Sequence, residues 1–325
     1  MLDDKRLRSL SIIIPNYNGA DLLRKFLPSV LSAVQQYQGN CEIIIVDDGS
    51  KDESRNVLAE FSSQYPNQKI KAYFNTQNLG FAGTCNVGIS HANGEILFFL
   101  NNDVELEEYY FNFFNDYFAQ NHTFAVTTCG FTYEGRKDLD GIKTGRWKRG
   151  LSRVTGNIYN REIESKHLTR PYLSFSVQGA YFFADAKKVK ELGGFDPLLS
   201  PYIYEETDLA YRALKRGWRI YYEPRCIGYH AVSSTLNKTP SFQKKVISHK
   251  NRMIFIWKNI HSRKLLLSHF FFLFIKLGCF NKAYWKAFRI CLSNLDEIKA
   301  KRKVEKGVSV VRDTQLFFNF PNCFK

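Results

Sequence analysis

Residues 41–54 read CEIIIVDDGSKDES, and this stretch decides the fold of the chain. Ile43–Val46 is a run of four β-branched residues, which is typical of a buried strand. The run stops at the turn-forming sequence Asp47-Asp48-Gly49-Ser50, and Val57–Tyr65 then has the apolar spacing of a helix. A buried strand that leads through a polar turn into a helix is the repeating unit of an α/β protein with a parallel sheet.

The same unit recurs on both sides of this stretch. The sequence predicts further strands at Leu10–Ile14, Ile70–Phe74, Ile96–Leu100, Ser174–Val177 and Arg219–Tyr222. It predicts helices at Asp21–Gln38, Phe81–His91, Leu106–Phe118, Ala186–Glu191 and Glu205–Lys215. Residues 131–170 are basic and glycine-containing, and we expect a long irregular or hairpin excursion there.

Polar side chains follow the strands of the predicted sheet. They are Asn16-Tyr17-Asn18, Asp47-Asp48, Asn78-Leu79-Gly80 and Asn101-Asn102-Asp103. Ligands of open parallel sheets bind at the carboxyl ends of the strands, so these clusters predict a binding site. Neither G-x-G-x-x-G nor G-x-x-x-x-G-K-[ST] occurs, which argues against a dinucleotide-binding fold and a P-loop nucleotide hydrolase.

Charge divides the 325 residues into two regions. The net charge is +15, and residues 1–235 are neutral, so the whole excess lies in residues 236–325. We therefore predict a sheet domain over 1–235 and a basic, aromatic helical region over 236–325. The seven cysteines include no C-x-x-C pair, and the first ten residues have no apolar core, so we expect reduced thiols and a cytoplasmic protein.

Seven short motifs occur in a fixed order along the chain. They are IIIPNYNG, VDDGSKDES, NLGFAGTCNVG, LNNDVEL, GGFDP, EETDLAYR and YH, between residues 12 and 230. In this order they resemble glycosyltransferase family 2, and most closely its bacterial rhamnosyltransferase-like and galactofuranosyltransferase-like branch. The resemblance implies a GT-A fold, a UDP- or dTDP-sugar donor, a divalent cation (Mg²⁺ or Mn²⁺) and inversion at the anomeric carbon.

The resemblance also implies a donor site. Its residues would be Pro15, Asn16, Tyr17, Asp47, Asp48, Asn78, Gly80, Asn101, Asn102, Gln178 and Gly179. Asp48 would accept the imide N–H of a uracil or thymine ring, with Asp47 supporting the turn or the ribose. The alternative is that this acidic turn only caps the following helix through Ser50 or Asp52. Tyr17 could equally be a packing residue.

Asp103 stands at the place of the family's D-x-D motif. Hard oxygen ligands suit a cation bound to a nucleoside diphosphate, and His230 is the second predicted ligand by the same resemblance. Asn101 replaces the first carboxylate of the motif with a neutral amide, which departs from the family pattern. The alternative role of Asp103 is to cap the predicted helix over Leu106–Phe118.

Glu205-Glu206-Thr207-Asp208 opens a predicted helix, where acidic residues are favoured in any case. A sugar hydroxyl needs a positioned general base, and the resemblance assigns that role to Glu206, where the family usually has Asp. Asp208 and Arg212 are four residues apart, which indicates a helix ion pair.

The basic region interleaves Lys and Arg with aromatic residues, and its most apolar stretch is Leu265–Phe280. At 16 residues, with His269 and Lys276 inside it, this stretch is short for a membrane span. We expect an interfacial helix on an anionic membrane surface, on the inner face of the cell membrane. A helical subdomain packed on the sheet domain is the alternative, and no nucleic-acid motif favours a nucleic-acid partner.

The sequence as a whole favours an enzyme that adds one sugar to a hydroxyl of a glycan acceptor. We expect that acceptor to be lipid-linked and to belong to bacterial cell-surface polysaccharide synthesis. A processive polysaccharide synthase is one alternative, although its Q-x-x-R-W motif is missing. The other is a degenerate relative that binds a nucleotide sugar without catalysis, which Asn101 and Glu206 motivate.

Overall fold

The computed structural model describes residues 6–158, 172–231 and 240–324. Within these ranges lies a central mixed sheet. Its strands are β1 (Leu10–Asn16), β2 (Cys41–Asp47), β3 (Ile70–Phe74), β4 (Ile96–Leu100), β5 (Val104–Leu106), β6 (Thr123–Thr132), β7 (Asp138–Asp140), β10 (Tyr172–Leu173), β11 (Tyr181–Asp185) and β12 (Arg219–His230). Their order in the sheet is β10-β12-β6-β11-β4-β1-β2-β3, with β5 beside β12 and β7 beside β6. A separate hairpin pairs β8 (Ile142–Lys148) with β9 (Leu151–Ile158).

Helices cover both faces of this sheet. They are α1 (Ala20–Gln36), α2 (Ser54–Gln64), α3 (Gly80–His91), α4 (Ala186–Glu191), α5 (Glu205–Lys215), α6 (Ser241–Asn259), α7 (Arg263–Gly278), α8 (Lys282–Ser293), α9 (Leu295–Val308) and α10 (Asp313–Phe318). Strands β1 to β4 are all parallel, whereas β11 runs antiparallel between β4 and β6. This is the predicted GT-A type of α/β fold with a helical C-terminal region.

Alternation along the strands explains the two layers of the core. Ile13 of β1 packs into the cluster that contains α3, α5 and the C-terminal helices. Its neighbours Ile12 and Ile14 point the other way, into a cluster with Leu23 and Leu27 of α1. Because both faces of β1 are covered, its residues are almost all apolar rather than alternating with polar ones.

Two predicted elements were wrong. The strand expected at Ser174–Val177 is irregular backbone, and the chain pairs instead at Tyr181–Asp185, where β11 inserts between β4 and β6. The helix expected over Leu106–Phe118 is replaced by β5 and two short 3₁₀ turns, because residues 104–106 pair with β12. The excursion over 131–170 contains the predicted hairpin, although residues 159–171 lie outside the described ranges.

The basic C-terminal helices pack on the sheet domain through charge as well as apolar contact. Phe255 of α6 shares a buried cluster with Phe124 of β6 and Phe182 of β11. Lys258 of α6 is buried, and its Nζ lies 2.5 Å from Asp196 Oδ2 and 2.7 Å from Asp208 Oδ1. The helical region thus reaches the core, as the subdomain alternative expected. No helix of the described residues has the length and apolar character needed to cross a bilayer.

Candidate active site

The ends of β1, β2 and β4 are joined by amide and carboxylate side chains. Asn16 Nδ2 donates to Asp47 Oδ2 at 2.9 Å, and Asn102 Nδ2 donates to Asn16 Oδ1 at 2.7 Å. Asn16 and Asp47 are both buried. Gly19 completes the arrangement, since a Cβ there would lie 2.3 Å from Asn102 Nδ2 and 2.4 Å from Asn16 Oδ1. Asp47 also accepts from the Ser50 amide at 2.9 Å, so it supports the turn, as predicted for one of its two roles.

Asp48 holds the loop that leads into α3. Its Oδ1 accepts from Asn75 Nδ2 at 2.8 Å and from the Leu79 amide at 2.9 Å, and its Oδ2 accepts from the Gly80 amide at 2.9 Å. A carboxylate offers about four acceptor positions, so one on Oδ2 stays available for a ligand N–H. Gly80 has a φ of 72°, a backbone conformation that glycine adopts without strain. The exposed Asn78 accepts from the same amide at 3.1 Å.

Tyr17 projects from the carboxyl edge of β1. Its side chain is 48% exposed, so it is not packed in the core as one alternative proposed. Pro15 before it is half-buried. A ring held this way at the edge of the Asn16–Asp47 cluster offers a flat surface to a nucleobase.

Asp52, and not Ser50, is the residue of the acidic turn that caps the following helix. Its Oδ1 accepts from the Ser54 amide at 3.1 Å, at the start of α2, and its Oδ2 accepts from the Ala20 amide at 2.9 Å, at the start of α1. Asp48 has no part in these caps. The cap of the following helix is therefore made by Asp52, whereas Asp48 accepts from the amides at the start of α3.

Asp103 and His230 are brought together by strand pairing. β5 runs antiparallel to the end of β12 with His230 opposite Val104, and the Ala231 amide donates to the Asp103 carbonyl at 2.9 Å. His230 Nε2 consequently lies 3.1 Å from Asp103 Oδ1. This buried oxygen accepts no hydrogen bond from the described residues.

The pair fits a divalent cation bound with a diphosphate. A buried carboxylate oxygen without a donor is costly unless a ligand or cation satisfies it. The described residues contain no group of three His, Cys, Asp or Glu side chains suited to a metal. Two protein ligands are enough when phosphate and water complete the shell, as Mg²⁺ sites commonly allow.

Glu206 lies on the first turn of α5, next to a glycine. Its half-buried carboxyl packs over the exposed Gly179, where an added Cβ would lie 3.6 Å from Glu206 Cδ. Burial raises the pKa of Glu206, and the nearby Lys143 of β8 opposes that rise. Lys143 also forms an ion pair with Asp140. No sequence signal marks Lys143 beyond its place in the basic excursion.

Glu205, the residue before Glu206, is the other glutamate of this turn and is buried. Burial raises its pKa well above the ordinary value, and the neighbouring charge of Glu206 raises it further. Two adjacent carboxyls that are both withdrawn from water do not ionise together readily. The pKa of Glu205 is therefore raised further than that of Glu206, and Glu206 is the carboxyl that ionises more readily.

A backbone contact joins the Glu206 side of the site to the Asp103 side. Gly179 is followed by Ala180, whose carbonyl accepts from the Asn101 amide at 2.7 Å. Asn101 and Asn102 are half-buried at the head of the segment that ends in Asp103. The Asn16–Asp47 cluster, the Asp103–His230 pair and Glu206 thus lie along one edge of the sheet.

Gln178 faces away from this edge. It is 1% exposed, and its Nε2 donates to Thr128 Oγ1 at 3.0 Å inside the sheet. Its Oε1 accepts no hydrogen bond from the described residues. Of the predicted pair Gln178 and Gly179, only Gly179 is exposed next to Glu206.

Sequence reasoning did not identify the side chains that hold the loop before α5. Ile203 and Tyr204 have φ values of 74° and 84°, a strained conformation for residues other than glycine. Asn251 of α6 is fully buried, and its Nδ2 donates to the carbonyls of Tyr202 at 2.9 Å and Ile203 at 2.7 Å. Lys250 Nζ donates to the Ser200 carbonyl at 2.7 Å. The loop that sets the position of Glu206 is therefore held from the C-terminal region.

More than half of the chain matches a known protein family. The family model described as glycosyl transferase family 2 matches residues 11–183. The chain belongs to glycosyl transferase family 2. This segment contains the Asn16–Asp47 cluster, Asp48, Asp103 and Gly179, whereas Glu206 and His230 lie beyond it.

Curated relatives and a solved structure extend this comparison. The chain is 30% identical over 152 residues to the minor teichoic acid biosynthesis protein GgaA of Bacillus subtilis, which is 46% of this chain and 33% of that protein. It is 31% identical over 105 residues to the undecaprenyl-phosphate 4-deoxy-4-formamido-L-arabinose transferase of Edwardsiella ictaluri, 32% of each chain. The matches thus span about a third of the curated relatives.

The fold of the chain resembles a crystal structure of GalNAc-T7 with UDP, GalNAc and Mn²⁺, with a TM-score of 0.64 and 19% identity. The likeness covers 80% of this chain and 50% of the other. At this level of identity the likeness supports the shared fold.

Proposed function

We propose that this protein is an inverting glycosyltransferase that moves one sugar from a UDP- or dTDP-sugar to a hydroxyl of a glycan acceptor. The observation that carries the proposal is the contact between Ala180 and Asn101, 2.7 Å long, which sets the Glu206 side of the site against the Asp103–His230 pair. Transfer with inversion needs a base on one side of the anomeric carbon and a stabilised leaving group on the other. One edge of the sheet would carry both, with Glu206 as the base and the Asp103–His230 pair on the side of the leaving group.

Glu206 would act as the general base. Its carboxylate takes the proton of the acceptor hydroxyl as the acceptor oxygen bonds to the anomeric carbon, and the bond from that carbon to the diphosphate oxygen breaks. The products are the glycosylated acceptor and a nucleoside diphosphate. Its raised pKa supports this role, because a base whose pKa lies closer to the working pH accepts the proton more readily.

Asp103 and His230 would hold a Mg²⁺ or Mn²⁺ ion with the donor diphosphate. When bound, such a cation neutralises the charge that develops on the leaving diphosphate. Asp48 would accept the imide N–H of the base at its remaining acceptor position, and Tyr17 would stack on that base. Asn78, Gly80, Asn101, Asn102 and Gly179 would line the rest of the donor site.

The relatives support an acceptor in bacterial surface glycan synthesis. GgaA is named for teichoic acid biosynthesis, and the second relative for transfer to undecaprenyl phosphate. By extension we propose a lipid-linked acceptor for this chain and a place on the inner face of the cell membrane. The resemblance to rhamnosyl- and galactofuranosyltransferase-like proteins makes dTDP-rhamnose and UDP-galactofuranose the first donors to test.

The experiment is a thermal-shift screen of UDP-, dTDP- and GDP-sugars with and without Mn²⁺, followed by donor hydrolysis and transfer assays with the donor that binds. A ligand at 100 times its dissociation constant should stabilise the protein by about 2.7 kcal/mol. Glu206→Gln should lower transfer by about 10²- to 10⁴-fold while donor binding is kept. Glu205→Gln, one residue away, is the matched control and should keep transfer.

Two results would contradict the proposal. Transfer by Glu206→Gln at the wild-type rate would remove Glu206 as the base. Donor binding without hydrolysis or transfer under any condition would favour the binding protein without catalysis, the alternative that the amide of Asn101 motivates.

A further inference from the structure

Helix α7 has an apolar face that the protein does not cover. Leu265, His269 and Leu273 face inward and are buried, and His269 Nε2 accepts from Trp257 Nε1 at 3.0 Å. On the opposite side, Phe271 and Phe274 are 69% and 75% exposed. A helix that is apolar all round is normally buried on all sides, so α7 lacks an apolar environment on its outer side.

The exposed residues form one stripe. Leu267, Phe270, Phe271, Phe274 and Ile275 recur at spacings of three and four, which places them on one side of a helix. Trp285 of α8 donates from its Nε1 to the Leu277 carbonyl at 3.0 Å, so α8 lies against the end of this helix. Trp285 is also exposed, as is Phe280 in the connection between α7 and α8. We call this set, from Leu267 to Trp285, the outer face. A continuous apolar surface of this kind marks an interaction site rather than scattered surface residues.

The charged side chains of α7 and α8 have a single sign. Residues 263–293 contain six basic residues and no acid, and no acid occurs anywhere between Glu223 and Asp296. The basic residues are Arg263, Lys264, Lys276, Lys282, Lys286 and Arg289. All but Lys276 are exposed, and Lys276 is half-buried.

We infer that the outer face docks on a bilayer surface that contains anionic lipids. Aromatic and aliphatic side chains would enter the boundary between headgroups and acyl chains, and the six cations would contact lipid phosphates. A second copy of the chain would bring a second set of cations to the same face, which opposes self-association. α7 is 16 residues long and includes Lys276, so it would lie in the plane of the surface.

This inference identifies the surface behind the proposed membrane location and does not depend on the transfer reaction. Phe271 and Phe274 are far more exposed than a folded core requires, so their replacement should leave the fold intact. The inference can therefore be tested by binding alone, with the whole chain and without a donor or an acceptor.

The experiment is co-flotation of the purified protein with vesicles of phosphatidylcholine, with and without an equal part of phosphatidylglycerol. Wild type should float with the anionic vesicles at low salt, and less so as salt is raised. Phe271→Glu/Phe274→Glu should lower the partition coefficient by at least about tenfold, because two aromatic rings no longer enter the lipid. Tyr109→Glu/Val310→Glu is the matched control, since both residues are exposed and lie outside the outer face. It should bind as wild type does.

Three outcomes would overturn the inference. One is wild type that does not float with anionic vesicles at low salt. Another is an unchanged partition coefficient in the phenylalanine variant, whose fold is checked by circular dichroism. The third is sedimentation that shows a wild-type dimer and a monomeric phenylalanine variant, with no lipid binding by either, which would assign the outer face to a second copy. A protein that floats yet transfers no sugar would leave this inference standing and contradict only the proposed reaction.

Discussion

Asp103 Oδ1 lies 3.1 Å from His230 Nε2, although 127 residues separate them in the chain. β5 and β12 create this proximity by pairing at their ends. The carboxylate oxygen is buried and accepts no hydrogen bond from the described residues, which is the observation behind the proposed cation site.

We therefore expect Asp103→Asn and His230→Gln each to remove the effect of Mn²⁺ on nucleotide binding. The variants keep the shape of the site but lose a ligand, so the affinity for UDP or dTDP in Mn²⁺ should fall toward the value measured in chelator. Isothermal titration of the nucleoside diphosphate with and without Mn²⁺ is the measurement. Tyr109→Glu serves as a surface control. An unchanged metal effect in both variants would show that the cation binds elsewhere.

The second prediction concerns pH. Burial raises the pKa of Glu205 in the folded protein above its value of about 4.3 in an unfolded chain. The folded state then binds more protons, so the free energy of unfolding decreases as pH rises from the unfolded pKa toward the raised one. Glu205→Gln removes this ionisation, and the variant should be more stable than wild type at pH 8 and similar to it at pH 4. Urea unfolding at several pH values tests this. A parallel pH dependence in both proteins would mean that Glu205 is not the group responsible.

A third prediction concerns Asn251, which holds the loop before α5 although it lies 48 residues after Ile203 in the chain. Asn251→Leu keeps the branched shape of the side chain and leaves buried carbonyls without a donor, at a cost of about 1–3 kcal/mol for each group. The variant should be destabilised by roughly that amount or more, and kcat should fall more than KM rises, because Glu206 loses its placement. Denaturant unfolding and steady-state kinetics measure the two effects.

Asn251→Asp is the companion variant, because it keeps the size of the side chain and replaces the donating amide with an acceptor. It should resemble Asn251→Leu in kcat. If both variants lose stability but transfer at the wild-type kcat, Asn251 supports the fold and has no positioning role.

The fourth prediction concerns Gly19. A methyl group there would overlap both Asn16 and Asn102, so Gly19→Ala must displace side chains that join three strand ends. We expect weaker binding of the nucleoside diphosphate, with or without metal. Gly193→Ala is not a suitable control, because Gly193 has a φ of 73°. Gly307→Ala is suitable, because nothing lies within 4 Å of an added Cβ there. Equal affinities in the two alanine variants would contradict a special role for Gly19.

The sheet and its edge were predictable because local sequence determines them. β1 to β4 and α1 to α3 lie within a few residues of their predicted bounds, since runs such as Ile43–Val46 are buried on both faces and end in turn sequences. The pattern failed where pairing with distant strands decides the outcome. Residues 104–106 are a strand because of β12, and the apolar residues after them are buried by 3₁₀ turns rather than by a helix.

The site was predictable only in part for the same reason. The Asp208–Arg212 pair was expected from its spacing, and its 2.8 Å contact confirms it. That Lys258 also reaches Asp208, and that Asn251 reaches Ile203, depends on how α6 packs. No spacing in the sequence signals such contacts. The predicted roles of Asp48, Glu206 and the donor residues stay predictions until ligands are bound.

The packing of α6 determines how long a fragment of this protein must be to keep the site intact. The family match ends at residue 183, and the charge boundary falls near residue 235. A fragment that stopped at residue 183 would already lack Glu206 and His230. One that stopped at residue 235 would keep all seven motifs and lose Asn251 and Lys258. The buried Asp196 and Asp208 would then face no lysine from α6. The family match therefore covers only part of what holds this site in place. The contacts that hold the loop before Glu206 come from α6, which ends at Asn259.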